Sequence, residues 1–294
     1  MTVRSVADAG WRERLARRER AGAVFVATCQ VATLVGLVFL GILLVDVARD
    51  GAPYLRPELV TNFPSRFPHR AGYASALVGT VCVAAIMALV AFPLGVLAAV
   101  YLEEYARPGR LTRLLEVNVA NLAAVPSVLY GLLGLGLFVE GLRMGKSLLA
   151  GALTLALLVL PLTILTAREA LRAVPFSMRE AAYALGASRW EVVRHHVLPY
   201  AAPGILTGII LALSRAVGET APLIMLGALQ YVPFLPRSVW DYFTVLPIQI
   251  FNYVSLPNPE FHRLAAAGIL LLLAVLLGLN ATAIWLRNRS RIRW

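Results

Sequence analysis

Six long apolar runs, separated by shorter polar segments, dominate the pattern of the chain. They lie near residues 21–45, 73–101, 117–139, 147–167, 203–227 and 264–286. A helix needs roughly 20 apolar residues to cross a hydrocarbon core about 30 Å thick, and each run is of that order. The pattern therefore predicts an all-α integral membrane protein with six transmembrane helices.

Composition agrees with a membrane protein and disfavours a soluble domain. Of 294 residues, 59% are hydrophobic and only 15% are charged. The net charge of +11 could suggest nucleic acid, but it is unevenly distributed. With both termini in the cytoplasm, eighteen basic residues fall on the inner side and eight on the outer side. Cytoplasmic loops of membrane proteins carry an excess of Lys and Arg, so this bias supports a topology with both termini inside. We expect a multi-pass membrane protein that contacts lipid and no nucleic acid.

The runs also suggest a division of the chain. The first run is too long for a signal-peptide core and is interpreted as an uncleaved anchor. The expected parts are a cytoplasmic basic tail (1–20), a first transmembrane helix with its external loop (21–72), a core of five transmembrane helices (73–286) and a second cytoplasmic basic tail (287–294).

Prolines and glycines mark the interior of several runs. Pro93, Pro126 and Pro161 each remove a backbone donor and predict a kink. Three glycines in the third run would let neighbouring backbones approach closely, namely Gly131, Gly134 and Gly136. A bundle that flexes around a pathway would suit both features.

The external segment 228–263 is rich in aromatic residues and prolines. We interpret it as an interfacial segment, since aromatic side chains favour the membrane surface. The residues expected there are Trp240, Tyr242, Phe243 and Tyr253. A lid or a docking surface remains an alternative.

The cytoplasmic segment 173–200 predicts a first short helix. Ser177 and Glu180 have the spacing of a capping box, which would start this helix. Gly186 is placed to end it in the left-handed conformation.

A second short helix should follow the glycine turn. Ser188 and Glu191 repeat the capping-box spacing, and Pro199 would close this helix. Three interpretations stay open: a solvated connector, a DNA-binding helix-turn-helix suggested by LGASRWEVVRHH, or a docking surface for a cytoplasmic partner. A helix-turn-helix needs its own packed core, and here membrane spans begin within a few residues on both sides.

This segment resembles the EAA loop of ABC-transporter permeases. The matching positions are Glu180, Ala181, Ala182, Gly186, Leu198 and Pro199. The pattern usually has an aliphatic residue where this chain has His196. The resemblance implies a type I (MetI-like) permease fold, in which the loop is a coupling helix seated in a cleft of the ATPase subunit.

An ATP site is not expected in this chain. The stretch GLRMGKS, residues 141–147, has three residues between its glycines, whereas a phosphate-binding loop needs four. The resemblance implies that ATP and Mg²⁺ are used by a partner ATPase, while this chain binds no cofactor. No histidine or cysteine spacing suggests a metal site.

The stretch SRAVGETAP, residues 214–222, places two ionisable residues inside the fifth apolar run. Arg215 lies twelve residues past Pro203, about 18 Å along a helix and thus near the bilayer midplane. Two ions there would cost on the order of 5 to 7 kcal/mol. One interpretation is a structural pair between Arg215 and Glu219, four residues apart on one helix face. The other is a pathway.

A pathway formed by these residues would suit an anion. The planar guanidinium fork of Arg215 matches a tetrahedral oxyanion, and Glu219 supplies a competing partner that keeps binding transient. Thr220 adds a hydroxyl, and Pro222 should loosen the helix. Chemistry alone does not choose among oxyanions.

Four stretches resemble the phosphate-specific permeases of the ABC family, the PstA group. They are RAVGETAPL (215–223), AVPSVLYGL (124–132), LPIQIFNY (246–253) and NATAIWLRNR (280–289). The resemblance implies a location in the bacterial cytoplasmic (inner) membrane. The resemblance implies that Arg215 and Glu219 serve phosphate passage in an ATP-driven importer. It also implies a heterodimer with a PstC-like permease, a PstB-like ATPase dimer and a periplasmic or lipid-anchored phosphate-binding protein, PstS.

Several alternatives remain at this point. The chain could be a permease for another oxyanion, such as sulfate or molybdate, or the sister phosphate permease PstC, which shares the arginine and GET pattern. A gated channel or ion-driven carrier would need no EAA loop. A membrane-embedded enzyme is disfavoured because no nucleophile–base or metal constellation is present in the sequence.

Overall fold

The computed structural model describes residues 3–228 and 231–289, and within these ranges the chain is helical, without β-strands. The α-helices are α1 (Val3–Gly51), α2 (Pro57–Thr61), α3 (Ala74–Val100), α4 (Arg110–Ala123), α5 (Ser127–Gly134), α6 (Leu148–Arg172), α7 (Phe176–Ala184), α8 (Arg189–Val192), α9 (Leu198–Gly218), α10 (Ala221–Leu226), α11 (Leu246–Val254) and α12 (Pro259–Arg289). Short 3₁₀ helices occupy Ala52–Tyr54 and Pro68–Arg70, and π-helical turns occupy Tyr101–Tyr105, Leu135–Gly141 and Val193–Val197.

The number of helices that could span a membrane agrees with the six predicted runs, except that one run is a bent pair of helices. Five helices in the described ranges are long and apolar enough to cross a bilayer, and a bent pair would make six. The five are Arg14–Tyr54, Ala74–Tyr105, Leu148–Arg172, Arg189–Gly218 and Pro259–Arg289. The bent pair corresponds to the third predicted run.

The N-terminal unit ends at Asp50 and consists of α1. The helix is continuous from Val3, so the described part of the predicted tail 1–20 is helical and continues into the first span. Most of its described apolar side chains are not covered by other residues of this chain, as expected for a helix surrounded by lipid or by another subunit.

The second unit has its core where α3 and α6 pack side by side and α9 lies against α6. Small residues allow the close approach: a Cβ added at Gly95 would lie 2.6 Å from the Thr163 Cγ2 atom. Pro93 and Pro161 lie inside α3 and α6, and both helices continue through them. The core includes fully buried side chains such as Met87.

The third predicted run is broken at Pro126. The segments Arg110–Ala123 and Ser127–Gly141 meet at an angle of 102°. Proline removes a backbone donor, and here the chain turns instead of merely kinking. The Tyr130 hydroxyl donates a hydrogen bond across the bend to the Leu122 carbonyl at 2.8 Å, which fixes the angle.

Two of the three predicted glycine contacts are confirmed. Gly131 approaches the backbone of Pro222, and Gly134 approaches the Thr154 side chain. The prediction for Gly136 is wrong, since an added Cβ there would have no neighbour within 4 Å.

The external segment is only partly interfacial. Trp240 and Tyr242 are exposed as predicted, but Phe243 and Tyr253 are buried. Phe243 packs against Gly151, and the Tyr253 hydroxyl donates to the Gly72 carbonyl at 3.0 Å. The interfacial prediction is therefore wrong for these two residues, because the segment folds back into the bundle through α11. Residues 229–230, and residues 290–294 of the predicted C-terminal tail, lie outside the described ranges.

Candidate functional site

The Arg215–Glu219 pair lies at a break between two helices. Helix α9 ends at Gly218, Glu219 has extended backbone angles, and α10 begins at Ala221. The sequence interpretation of one continuous helical face is wrong, because Gly218 and Pro222 together interrupt the helix. Arg215 also lies in the last turn of the span Arg189–Gly218, not in the middle of an unbroken helix.

The two side chains nevertheless face each other. The Arg215 Nε atom lies 3.5 Å from Glu219 Oε1, at the long limit of a hydrogen bond. The Arg215 side chain is 56% exposed, whereas that of Glu219 is 21% exposed. An ion pair this long and this open contributes little to folding. The guanidinium therefore remains available to another partner.

Neighbouring contacts hold the break in place. The Ser214 hydroxyl contacts Asn280 Oδ1 at 2.5 Å, which joins α9 to α12 beside the arginine. On the other side, the close approach of Gly131 and Pro222 packs α10 against α5. Thr220 is half-buried, and its carbonyl accepts from the Ile224 amide at the start of α10. The sequence interpretation missed Ser214 and Asn280, although both lie in stretches that it quoted.

The predicted coupling segment forms α7, a glycine turn and α8. Gly186 has a φ of +83°, the left-handed conformation that the sequence predicted for it. The capping box of Ser188 and Glu191 is present in both directions. The Ser177–Glu180 box is wrong: α7 begins at Phe176, so Ser177 lies inside the helix, and the N-cap residue Pro175 provides no side-chain cap.

The predicted closure of the second helix at Pro199 is also wrong. Helix α8 continues through the π-helical turn Val193–Val197 into α9, and Leu198 and Pro199 form its first turn. Proline is tolerated there because the preceding π-helical turn bonds at a different spacing from an α-helix. The second helix of the coupling segment and the fifth span thus form one continuous helical rod.

The coupling residues divide into an outer and an inner group. Glu180, Ala181 and Gly186 are exposed, whereas Ala182 is buried in a cluster with Val192, Val197 and other apolar residues. Leu185 is 89% exposed at the tip of the turn. His196, the departure from the resemblance, is exposed as well and leaves the packing undisturbed. An exposed apolar side chain such as Leu185, at the end of a well-packed segment, is typical of a surface that contacts another protein.

The Ser188 hydroxyl is expected to hold the start of α8. It accepts from the Glu191 amide at 3.4 Å and contacts the Glu191 carboxylate at 2.7 Å. Ser188→Ala should therefore accelerate amide exchange at residues 189–192 by about fivefold, measured by hydrogen–deuterium exchange. Ser177→Ala is the matched control and should leave exchange in α7 unchanged. Equal effects of the two substitutions would contradict this assignment of the cap.

A charged cluster beneath the coupling segment was missed. Arg168 is buried and bonds to Glu103 at 2.7 Å and to Glu116 at 2.6 Å. Arg172 joins Glu103 at 2.9 Å. The cluster ties α4 and α6 to the end of the span that begins with α3. Arg168 lies 65 positions from Glu103 and 52 positions from Glu116, so no spacing in the sequence signals these contacts.

Two further contacts connect the coupling segment itself to that span. Arg179 on α7 bonds to the buried Glu104 carboxylate at 2.7 Å through Nη2 and to the Val174 carbonyl at 2.7 Å through Nη1. Arg189 on α8 lies over the Tyr105 ring, 5.1 Å from its centroid. The signal in the sequence was the Glu103-Glu104 pair, two acids at the end of an apolar run that require cationic partners.

Comparisons with known proteins place this arrangement in a family. The family model described as "Binding-protein-dependent transport system inner membrane component" matches residues 91–291. The phosphate transport system permease protein PstA 1 of Mycobacterium tuberculosis is 38% identical over 260 residues, covering 85% of this chain and 83% of the relative. PstA of Haemophilus influenzae is 34% identical over 85% of this chain and 88% of its own length. For PstA of Yersinia pestis the identity is 33%, with 92% of each chain covered.

Solved structures agree on the fold. A bacterial ABC transporter involved in the import of the acidic polysaccharide alginate matches with a TM-score of 0.66 at 15% identity, over 94% of this chain and 99% of that one. The MetNI methionine ABC transporter, in an inward-facing conformation, matches with a TM-score of 0.58 at 19% identity, over 75% and 95%. The chain is thus an inner-membrane permease subunit of the binding-protein-dependent ABC transport systems, and it belongs to the PstA family of phosphate transport permeases.

Proposed function

We propose that this chain forms one half of the translocation pathway for inorganic phosphate in an ATP-driven importer, with Arg215, Glu219 and Thr220 on the pathway. The observation that carries the proposal is the open guanidinium of Arg215, whose ion pair among the described residues is a 3.5 Å contact to Glu219 at a helix break. The guanidinium of Arg215 offers a fork of charged donors that binds an oxyanion well. When the anion leaves, the carboxylate of Glu219 can pair with the guanidinium again. The identity of the relatives supports phosphate as that anion.

The partners follow from the same family. A PstC-like permease would supply the other half of the pathway, a PstB-like dimer would bind ATP and Mg²⁺, and a phosphate-binding protein of the PstS type would deliver the substrate. This chain would bind no cofactor of its own. The exposed tip around Leu185 and Glu180 is the surface offered to the ATPase. Both termini would then lie in the cytoplasm, on the side of the coupling segment.

Movement of the ATPase would reach the pathway along two routes. One is the continuous rod from α8 into α9, which carries Arg215 in its last turn. The other is the bond from Arg179 to Glu104, which connects α7 to the span that begins with α3. Since α3 and α9 both pack against α6, a push on the coupling segment would shift the bundle as a body and change the access of Arg215.

Phosphate uptake is the direct test of the substrate. Cells that lack their own high-affinity phosphate permease would receive this chain with its sister permease, ATPase and binding protein. We expect ATP-dependent uptake of radiolabelled phosphate that a hundredfold excess of sulfate or molybdate leaves unchanged. An ATPase variant unable to hydrolyse ATP is the control for energy coupling.

The opposite outcomes separate the alternatives. Uptake that sulfate or molybdate competes away would assign the chain to another oxyanion. Uptake that persists with the inactive ATPase would indicate a channel or carrier. An assembled complex without any phosphate uptake would contradict the proposed substrate.

A further inference from the structure

The amphipathic helix α4 has an apolar face that nothing in the described part of the chain covers. Its leucines at positions i, i+3, i+4 and i+11 share one side of the helix, and none of them is buried. They are Leu111, Leu114, Leu115 and Leu122. Leu111 is 70% exposed and Leu114 is 57% exposed. The other side of α4 faces the protein, where Glu116 bonds to Arg168 at 2.6 Å.

Helix α4 is too short to cross a membrane by itself. Its 14 residues extend about 21 Å, against a hydrocarbon core of about 30 Å. The 102° bend at Pro126 also turns it away from the segment that follows. A helix of this length, amphipathic and crossing the direction of its neighbour, has the properties of one that lies in the membrane interface.

A cavity of about 560 Å³ lies beside α4 and is lined by two arginines and two glutamates. Arg110 and Arg113 line it, together with Glu103 and Glu116. Both carboxylates are already engaged by Arg168. In the part of the chain that the structure describes, no carboxylate pairs with Arg110 or Arg113. The cavity is therefore suited to an anion, and the leucine face adjoining Arg110 is suited to acyl chains.

We propose that α4 is an interfacial helix that binds an anionic phospholipid of the cytoplasmic leaflet. The headgroup phosphate occupies the cavity at Arg110 and Arg113, and the leucine face of α4 inserts among the acyl chains. Charge complementarity selects an anionic headgroup over a zwitterionic one. The positive-inside distribution places these arginines on the inner side. The proposal is independent of the substrate that the pathway carries.

Lipid binding to the purified full-length chain, in complex with its partner subunits, tests the proposal. The complex in neutral detergent would be titrated with phosphatidylglycerol or phosphatidylcholine, and bound lipid would be counted by native mass spectrometry. We expect preferential binding of phosphatidylglycerol, weakened about 10- to 30-fold in the Arg110→Gln/Arg113→Gln double variant. Arg107→Gln is the matched control, because Arg107 carries the same charge nearby but does not line the cavity.

Three other outcomes would contradict the proposal. A loss in Arg107→Gln equal to that of the double variant would indicate diffuse attraction without a site. Displacement of phosphatidylglycerol by an equal concentration of inorganic phosphate would indicate a free-anion site. Leu111→Ser/Leu114→Ser should weaken lipid binding; loss of the partner permease with lipid binding intact would make the face a protein interface. The single variant Arg110→Gln, expected to give a smaller loss, replaces the double variant if the latter misfolds.

Discussion

Arg215→Ala is expected to reduce phosphate uptake to background while the complex still assembles in the membrane. The substitution removes a charge-assisted fork of donors, whose loss costs at least about tenfold and up to about 100-fold in binding. Folding should change little, because the arginine is 56% exposed and its described ion pair with Glu219 is 3.5 Å long. Uptake of radiolabelled phosphate and the yield of purified complex measure the two effects separately.

Arg215→Lys and Arg237→Ala sharpen this test. Lysine keeps the charge but not the planar fork, so we expect partial uptake in Arg215→Lys. Arg237 lies in the external segment, outside the stretch that forms the helix break, and its replacement controls for the loss of one positive charge. Normal uptake in Arg215→Ala would refute a role in the pathway. Loss of the assembled complex would instead make the arginine a structural residue.

Arg168→Met is expected to destabilise the folded chain by about 1 to 3 kcal/mol, since it removes the charged hydrogen bonds that a buried guanidinium makes to two partly exposed carboxylates. Arg168 is only 6% exposed in its side chain and contacts Glu103 and Glu116 at 2.7 and 2.6 Å. Thermal unfolding of the purified complex, followed by intrinsic fluorescence, would show a lower midpoint and a lower yield.

Arg172→Met is the matched control for Arg168→Met. It removes the same side chain from the same cluster, but Arg172 is half exposed, and water can replace it at Glu103. Its substitution should cost about 1 kcal/mol or less. Similar destabilisation by both substitutions would mean that burial does not govern the cluster.

Much of the architecture could be predicted because it depends on local and periodic signals. Apolar runs long enough for a bilayer located the spans, and the left-handed Gly186 and the Ser188–Glu191 box follow from residue chemistry at a fixed spacing. The contact between Arg215 and Glu219 was also predictable, because four residues separate them. The assumption that an apolar run forms one continuous helix was wrong at two places. The helix breaks at Pro126 and again at Glu219.

The remaining features depend on contacts between distant positions. Arg168 meets Glu103 across 65 residues of chain, and Ser214 meets Asn280 across 66. Nothing in the spacing of either pair signals the contact. Phe243 and Tyr253 were assigned to the surface because aromatic residues favour it, but tertiary packing draws both inward. Predicting such contacts requires the arrangement of the helices, which a single sequence does not specify.

The π-helical turn Val193–Val197 has a geometric consequence for the pathway. Each residue of an α-helix advances about 1.5 Å and turns about 100°, and a π-helical turn accommodates an extra residue without passing on that rotation. If the same residues wound as regular α-helix, α9 would rotate by about 100° relative to α8 and lengthen by about 1.5 Å. The π-helical winding of these five residues, inside the coupling segment, thus determines the direction in which the Arg215 guanidinium points.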